Sequence, residues 1–70
     1  MTEILSPITG SVWKIIAQVG TQVNEGDTVV ILESMKMEIK VKSPHDGKVA
    51  EIKVKEGDSI LEDDIIAIVE

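Results

Sequence analysis

Two stretches decide the fold: Ser6 to Glu33, SPITGSVWKIIAQVGTQVNEGDTVVILE, and Ser43 to Glu70, SPHDGKVAEIKVKEGDSILEDDIIAIVE. They align without a gap at an offset of 37 residues. Ten of the 28 positions are identical: Ser6/Ser43, Pro7/Pro44, Gly10/Gly47, Val12/Val49, Ile15/Ile52, Gly20/Gly57, Glu25/Glu62, Asp27/Asp64, Ile31/Ile68 and Glu33/Glu70. Several other positions are conservative, such as Val23/Ile60. Solenoids need about three or more repeats to bury a core. Two copies close on each other instead, as a pseudo-twofold pair.

Each half has the same plan. A Ser-Pro opening disfavours helix at the serine. A glycine then starts a run with strand chemistry, Val12 to Ala17 or Val49 to Val54, and Glu51-Ile52-Lys53-Val54-Lys55 alternates as a half-buried strand does. A Gly-Thr or Gly-Asp turn follows, then a short apolar pair, then an acidic turn (Asn24-Glu25-Gly26-Asp27; Glu62-Asp63-Asp64). A second apolar strand, Thr28 to Leu32 or Ile65 to Val69, closes each half. No segment sustains a helical apolar period. The residues predict an all-β flattened barrel or sandwich, one domain over residues 1–70.

The halves are joined by residues 34–42, read as a hairpin because Glu38-Ile39-Lys40-Val41-Lys42 alternates. A slip of one residue would send its apolar side chains to the wrong face. With Met35 and Lys36 as the central turn residues, Leu32 faces Ile39 and Val30 faces Val41. A turn centred on Lys36-Met37 also preserves this parity, and the residues alone leave the two open. Lys36 is at the tip in both. Subtracting the repeat offset from Lys36 lands just outside the N-terminus. Met1 and Glu70 are therefore expected together, at the pole opposite Lys36.

The tip, Glu33-Ser34-Met35-Lys36-Met37-Glu38, is a poor structural turn. Two-residue hairpins favour Asn-Gly or Asp-Gly because both central residues take positive φ. Met and Lys incur a steric cost there, and two methionines occupy a place where polar residues would be ordinary. Local violations of folding rules point to function. Methionine offers a flexible apolar surface that differing partners accept, and a tip lysine can reach into another protein's pocket.

Composition narrows the alternatives. Seventy residues, 43% of them hydrophobic with Trp13 the sole aromatic, suit a small core of β-branched strands. There is no cysteine, hence no disulfide framework and no thiolate metal site. Thirteen acids against seven lysines and no arginine give a formal charge of −6, unsuited to nucleic acid or an anionic membrane. No apolar run approaches the ~20 residues of a membrane span. Met1-Thr2-Glu3 does not resemble a signal peptide, so a cytoplasmic location is expected. The acidic turns lack the ligand spacing of a calcium loop, so no metal is expected. His45 reads as a surface-loop residue and Trp13 as packing. No nucleophile–base pair can be assembled, which argues against an enzyme.

Met35-Lys36-Met37 between two gap-free halves resembles the biotinyl domain of biotin-dependent carboxylases and their small free-standing homologues. The resemblance covers essentially the whole chain. The family's common form is Ala-Met-Lys-Met, with Ser34 here in place of the alanine. The thumb-like insertion of some acetyl-CoA carboxylase carriers is missing. The resemblance implies a flattened barrel of two four-stranded antiparallel sheets with the modified lysine on a tight turn. It implies that a biotin protein ligase presents biotinyl-adenylate, which the amine of Lys36 attacks to form an amide. A free lysine amine titrates near about 10.4, so the ligase must assist deprotonation. The attached biotin would be carboxylated by a biotin carboxylase and would pass the carboxyl to an acceptor at a carboxyltransferase, as in acyl-CoA or pyruvate carboxylases. The domain itself would be a non-catalytic carrier, monomeric in isolation. Glu33 and Glu38 could guide the ligase or simply keep the hairpin solvated. Lipoyl domains share the lysine-bearing hairpin, so lipoate on Lys36 is the alternative cargo, although their lysine is typically flanked by Asp and a small residue. Unmodified hairpin modules of membrane-fusion adaptors lack a Met-Lys-Met tip.

Overall fold

The computed structural model describes residues 1–70 and contains strands and turns only. In chain order the strands are β1 (Thr2–Leu5), β2 (Gly10–Ile15), β3 (Gln22–Val23), β4 (Thr28–Ser34), β5 (Met37–Lys42), β6 (Gly47–Ile52), β7 (Ser59–Ile60) and β8 (Ile65–Val69). They form two four-stranded sheets, ordered β1-β8-β6-β3 and β5-β4-β2-β7, with every pairing antiparallel. The sequence repeat is the symmetry of this pair. Adding the offset to β2 and β3 gives the bounds of β6 and β7, β4 maps onto β8, and β1 occupies the place equivalent to β5.

The halves are interleaved. The short strand β3 of the first half pairs with β6 of the second, and β7 pairs with β2. Between the sheets lies a core of 13 buried residues, among them Val12, Val29, Val30 and Leu32 from one half and Val49, Ile66, Ala67 and Val69 from the other. Most of these residues are β-branched or small, as suits a thin layer between pleated faces, and the consecutive buried pairs Val29-Val30 and Ile66-Ala67 fall where register shifts interrupt the alternation.

Hydrogen bonding repeats as faithfully. The Ser6 N–H donates to Asp64 O and the Ser43 N–H to Asp27 O, each at 2.8 Å. The acidic turns are closed by their own side chains: Asp27 accepts from the Asn24 N–H, and Asp64 from the Leu61 N–H, each at 2.9 Å. Here Asp serves as a local acceptor in a turn. The hydroxyls of Ser6 and Ser43 are buried and donate to Ile8 O (2.5 Å) and His45 O (2.6 Å). Each ties down the loop that its Ser-Pro opens.

Three features depart from the sequence reading. The long strands begin two residues earlier and end two earlier than expected, at Gly10–Ile15 and Gly47–Ile52. The chain leaves the sheet at Ile16 because the N–H groups of both Ile16 and Ala17 bond to Val29 O, at 2.8 and 3.0 Å. Second, register shifts leave Trp13 unpaired in β2 and Ala50 in β6, with matching shifts at Val29 and Ile66. Trp13 is consequently not core packing. It is 43% exposed on the outer surface, with Lys14 Nζ 5.4 Å from its ring centroid. Third, His45 is half-buried rather than a plain loop residue. Its ring nitrogens bond to Asp46 O (2.7 Å) and to the Thr2 hydroxyl (2.8 Å), pinning the first strand.

Candidate functional site

β4 and β5 form the hairpin, and its register resolves the turn. Val30 faces Val41, Leu32 faces Ile39, and Ser34 faces Met37. Met35 and Lys36 are therefore the two central residues. Both have left-handed backbones, at φ 48° and 69°, as a two-residue turn twisted with its strands requires. Neither residue is of the type that adopts this conformation freely.

Lower down, the hairpin is anchored on both sides. Leu32, Val30 and Val41 are buried, and Ile39 packs against the same core. β2 lies close alongside, and a Cβ added to Gly10 would stand 2.5 Å from Glu33 O. That approach explains why the glycine recurs as Gly47, whose added Cβ would collide with Glu70 O. The buried Ser6 hydroxyl holds the loop beside the hairpin. Ser6 and Gly10 are supporting residues whose only signal in the sequence was their recurrence in both halves.

Beyond this anchorage the tip is open. Met35 is 93% exposed and Met37 is 61% exposed. Met37 shares the inward parity of Ile39 and Val41 but lies past the end of the core. Lys36 is exposed and takes part in no side-chain hydrogen bond, and the chain's ion pair is Lys53–Glu51. Glu33 and Glu38 are direct cross-strand partners on the outer face. Two like charges side by side oppose pairing there, and no ion pair offsets them. Ser34 is half-buried beneath the turn. The result is a free primary amine on a fixed stalk, flanked by apolar surface, with no group of this chain holding it.

The opposite pole is occupied by the chain ends. Thr2 pairs with Val69, the Glu70 N–H donates to Lys48 O (2.8 Å), and the Ser43–Asp46 loop at the foot of the hairpin reaches Thr2 through His45. The molecule is 31 Å long and 17 Å across. An exposed lysine thus stands at one end and both termini at the other. The tip also fits a covalent cargo, since an amide at Nζ displaces no existing contact of Lys36.

Comparison with known proteins agrees with this arrangement. The family model described as "Biotin-requiring enzyme", of the biotin/lipoyl type, matches residues 2–69. The "Biotin/lipoyl attachment protein" of Bacillus subtilis (strain 168) is 44% identical over 59 residues, 84% of this chain and 81% of that protein. The "Biotinylated protein TB7.3 homolog" of Mycobacterium leprae (strain TN) is 39% identical over 67 residues, 96% of this chain and 94% of that protein. The crystal structure of Kluyveromyces lactis urea carboxylase superposes with a TM-score of 0.94 at 39% identity, covering 99% of this chain and 6% of that one. Pyruvate carboxylases of Aspergillus niger and Bacillus subtilis also match, and the chain spans only 6% of their length. The match over nearly all of the chain, with a like fold in a solved carboxylase, shows that the chain belongs to the biotin/lipoyl attachment family.

Proposed function

We propose that Lys36 is the attachment residue, that its cargo is biotin, and that the domain is a non-catalytic carrier of carboxyl groups between the sites of a biotin-dependent carboxylase. The observation that carries this reading is the tip itself: an unpartnered amine between two exposed methionines, in a turn whose backbone suits neither central residue. Biotin is favoured over lipoate by the kind of relatives found, a biotinylated protein along nearly its full length and carboxylases across a small part of theirs. The pair Met35 and Met37 supports the same choice.

Attachment by a biotin protein ligase needs only what the tip supplies. The Lys36 amine, once deprotonated by the ligase, attacks the acyl carbon of biotinyl-adenylate. The C–N amide bond forms, the acyl–phosphate bond breaks, and AMP leaves. When bound, biotin supplies the nitrogen that accepts and releases a carboxyl group. The protein's own contribution is position. The stalk keeps the cargo clear of the barrel, where a biotin carboxylase and a carboxyltransferase can each reach it. The partners of this reading are those three enzymes, in the cytoplasm.

Intact mass after co-expression with a biotin ligase tests the assignment. The wild-type chain should gain one biotin as an amide. Lys36→Arg should gain none and keep its melting temperature. Biotin on Lys40 or Lys42, or undiminished labelling of the Arg variant, would refute it.

A further inference from the structure

The pseudo-twofold axis gives the barrel two outer faces of equal geometry, and the chain has charged them oppositely. On the β5-β4-β2-β7 sheet, Ile31 is half-buried on the outer face between its cross-strand partners Lys14 and Lys40. On the other sheet, the equivalent Ile68 lies between Glu51 and Glu3. Each lysine is replaced by a glutamate at the matching place. Next to Lys14 stands the half-exposed Trp13, and its counterpart Ala50 is small. Around the two isoleucines one face is thus basic and aromatic, while the other is acidic with Glu51 ion-paired to Lys53, within a chain of net charge −6.

The basic face belongs to the sheet that carries Lys36. On β4, Ile31 lies three residues before Ser34, where the turn bearing Lys36 begins, about 10 Å at the usual strand rise, with the Glu33–Glu38 pair in between. A protein that straddles the hairpin tip from this side meets it next. Exposed tryptophan is enriched among the residues that dominate interfaces. Paired lysines flanking an apolar centre favour a surface with carboxylates around an apolar spot. We propose that this face, Trp13, Lys14, Ile31 and Lys40, is the docking surface for an acidic patch on the ligase that modifies Lys36. The inference rests on the attachment reading above. The ligase is singled out because it must recognise the unmodified chain, with only protein surface to grip. The carboxylase sites can also grip the cargo.

Steady-state biotinylation of the full chain by a biotin protein ligase, with ATP and biotin, tests this. The symmetry supplies variants suited to the fold. Lys14→Glu/Lys40→Glu and Trp13→Ala place at each site the residue found at its equivalent, and Glu3→Lys/Glu51→Lys is the mirror change. Lys48→Glu/Lys53→Glu alters net charge as much as the first variant but lies on and just past β6 of the other sheet. The Lys14/Lys40 reversal should raise KM about tenfold, the effect growing as salt is lowered, with kcat nearly unchanged. Trp13→Ala should raise KM several-fold at all salt concentrations. The mirror and off-face variants should stay within about twofold of wild type. Equal KM changes in the on-face and off-face reversals would mean that only net charge matters and would overturn the docking face while leaving Lys36 as the attachment site. A wild-type chain that takes no biotin would overturn both.

Discussion

Replacing Met35-Lys36 with Asn-Gly should stabilise the protein while abolishing attachment. The two residues hold φ values of 48° and 69°. A left-handed conformation costs a side-chain-bearing residue roughly 1–2 kcal/mol. Glycine at the second position removes that strain but returns about 0.4–1 kcal/mol through the greater freedom of its unfolded chain. Asparagine at the first relieves part of the cost, because its short polar side chain tolerates this region. Met35 and Lys36 are exposed, and Lys36 makes no hydrogen bond, so little packing is lost. The net gain works out at about 1–2 kcal/mol, or about 7–14 °C in Tm for a chain of this size. Thermal unfolding followed by circular dichroism, with guanidinium titration as a second route to the free energy, measures it. A Tm equal to or below wild type would show that the turn stores no strain, and the argument from a functionally imposed turn would fail.

Three further outcomes follow from the same geometry. Asp63 adopts φ 73° where its counterpart Gly26 has φ 88°, so Asp63→Gly should raise stability by about 0.5 kcal/mol in chemical denaturation. Gly10→Ala should lower stability by about 1–3 kcal/mol, because its Cβ would meet Glu33 O just below the hairpin turn, and the same assay would detect it. Met35→Ala and Met37→Ala should each change stability by less than about 0.5 kcal/mol but slow biotinylation, as single-time-point mass spectrometry would show; a clear fall in Tm for Met37→Ala would mean that the methionine is structural.

The hairpin and its register were readable in the sequence because only one parity keeps Val30, Leu32, Ile39 and Val41 on a single face. The choice between Met35-Lys36 and Lys36-Met37 was not, since both preserve that parity and neither pair favours positive φ. The pairing of Ser34 with Met37 decides it. The doubled plan was legible because the repeat has no gap, but which sheet receives β3 and β7 was not. Two-residue strands carry no periodicity of their own, and they are placed by backbone bonds to the other half. The positions of Trp13 and His45 were misjudged for a similar reason. A bulge frees Trp13 from strand alternation, and His45 is fixed by a hydroxyl 43 residues away. The supporting pair Ser6 and Gly10 was visible only as recurrence, without its cause.

The exchange of β3 and β7 between halves bears on how many cargoes such a body can hold. Cut the chain into its two equal units and each would leave a sheet edge open for the other's short strand, so the natural partner of a half is a rotated copy of itself. A dimer of that kind would carry a hairpin tip at each pole, and two lysines. Joining the units through one hairpin turns the second tip into a pair of chain ends, where Thr2 meets Val69. The pole that loses its lysine becomes the place where a linker can be attached. Handle and working end are thus the same structural position, used once closed and once open.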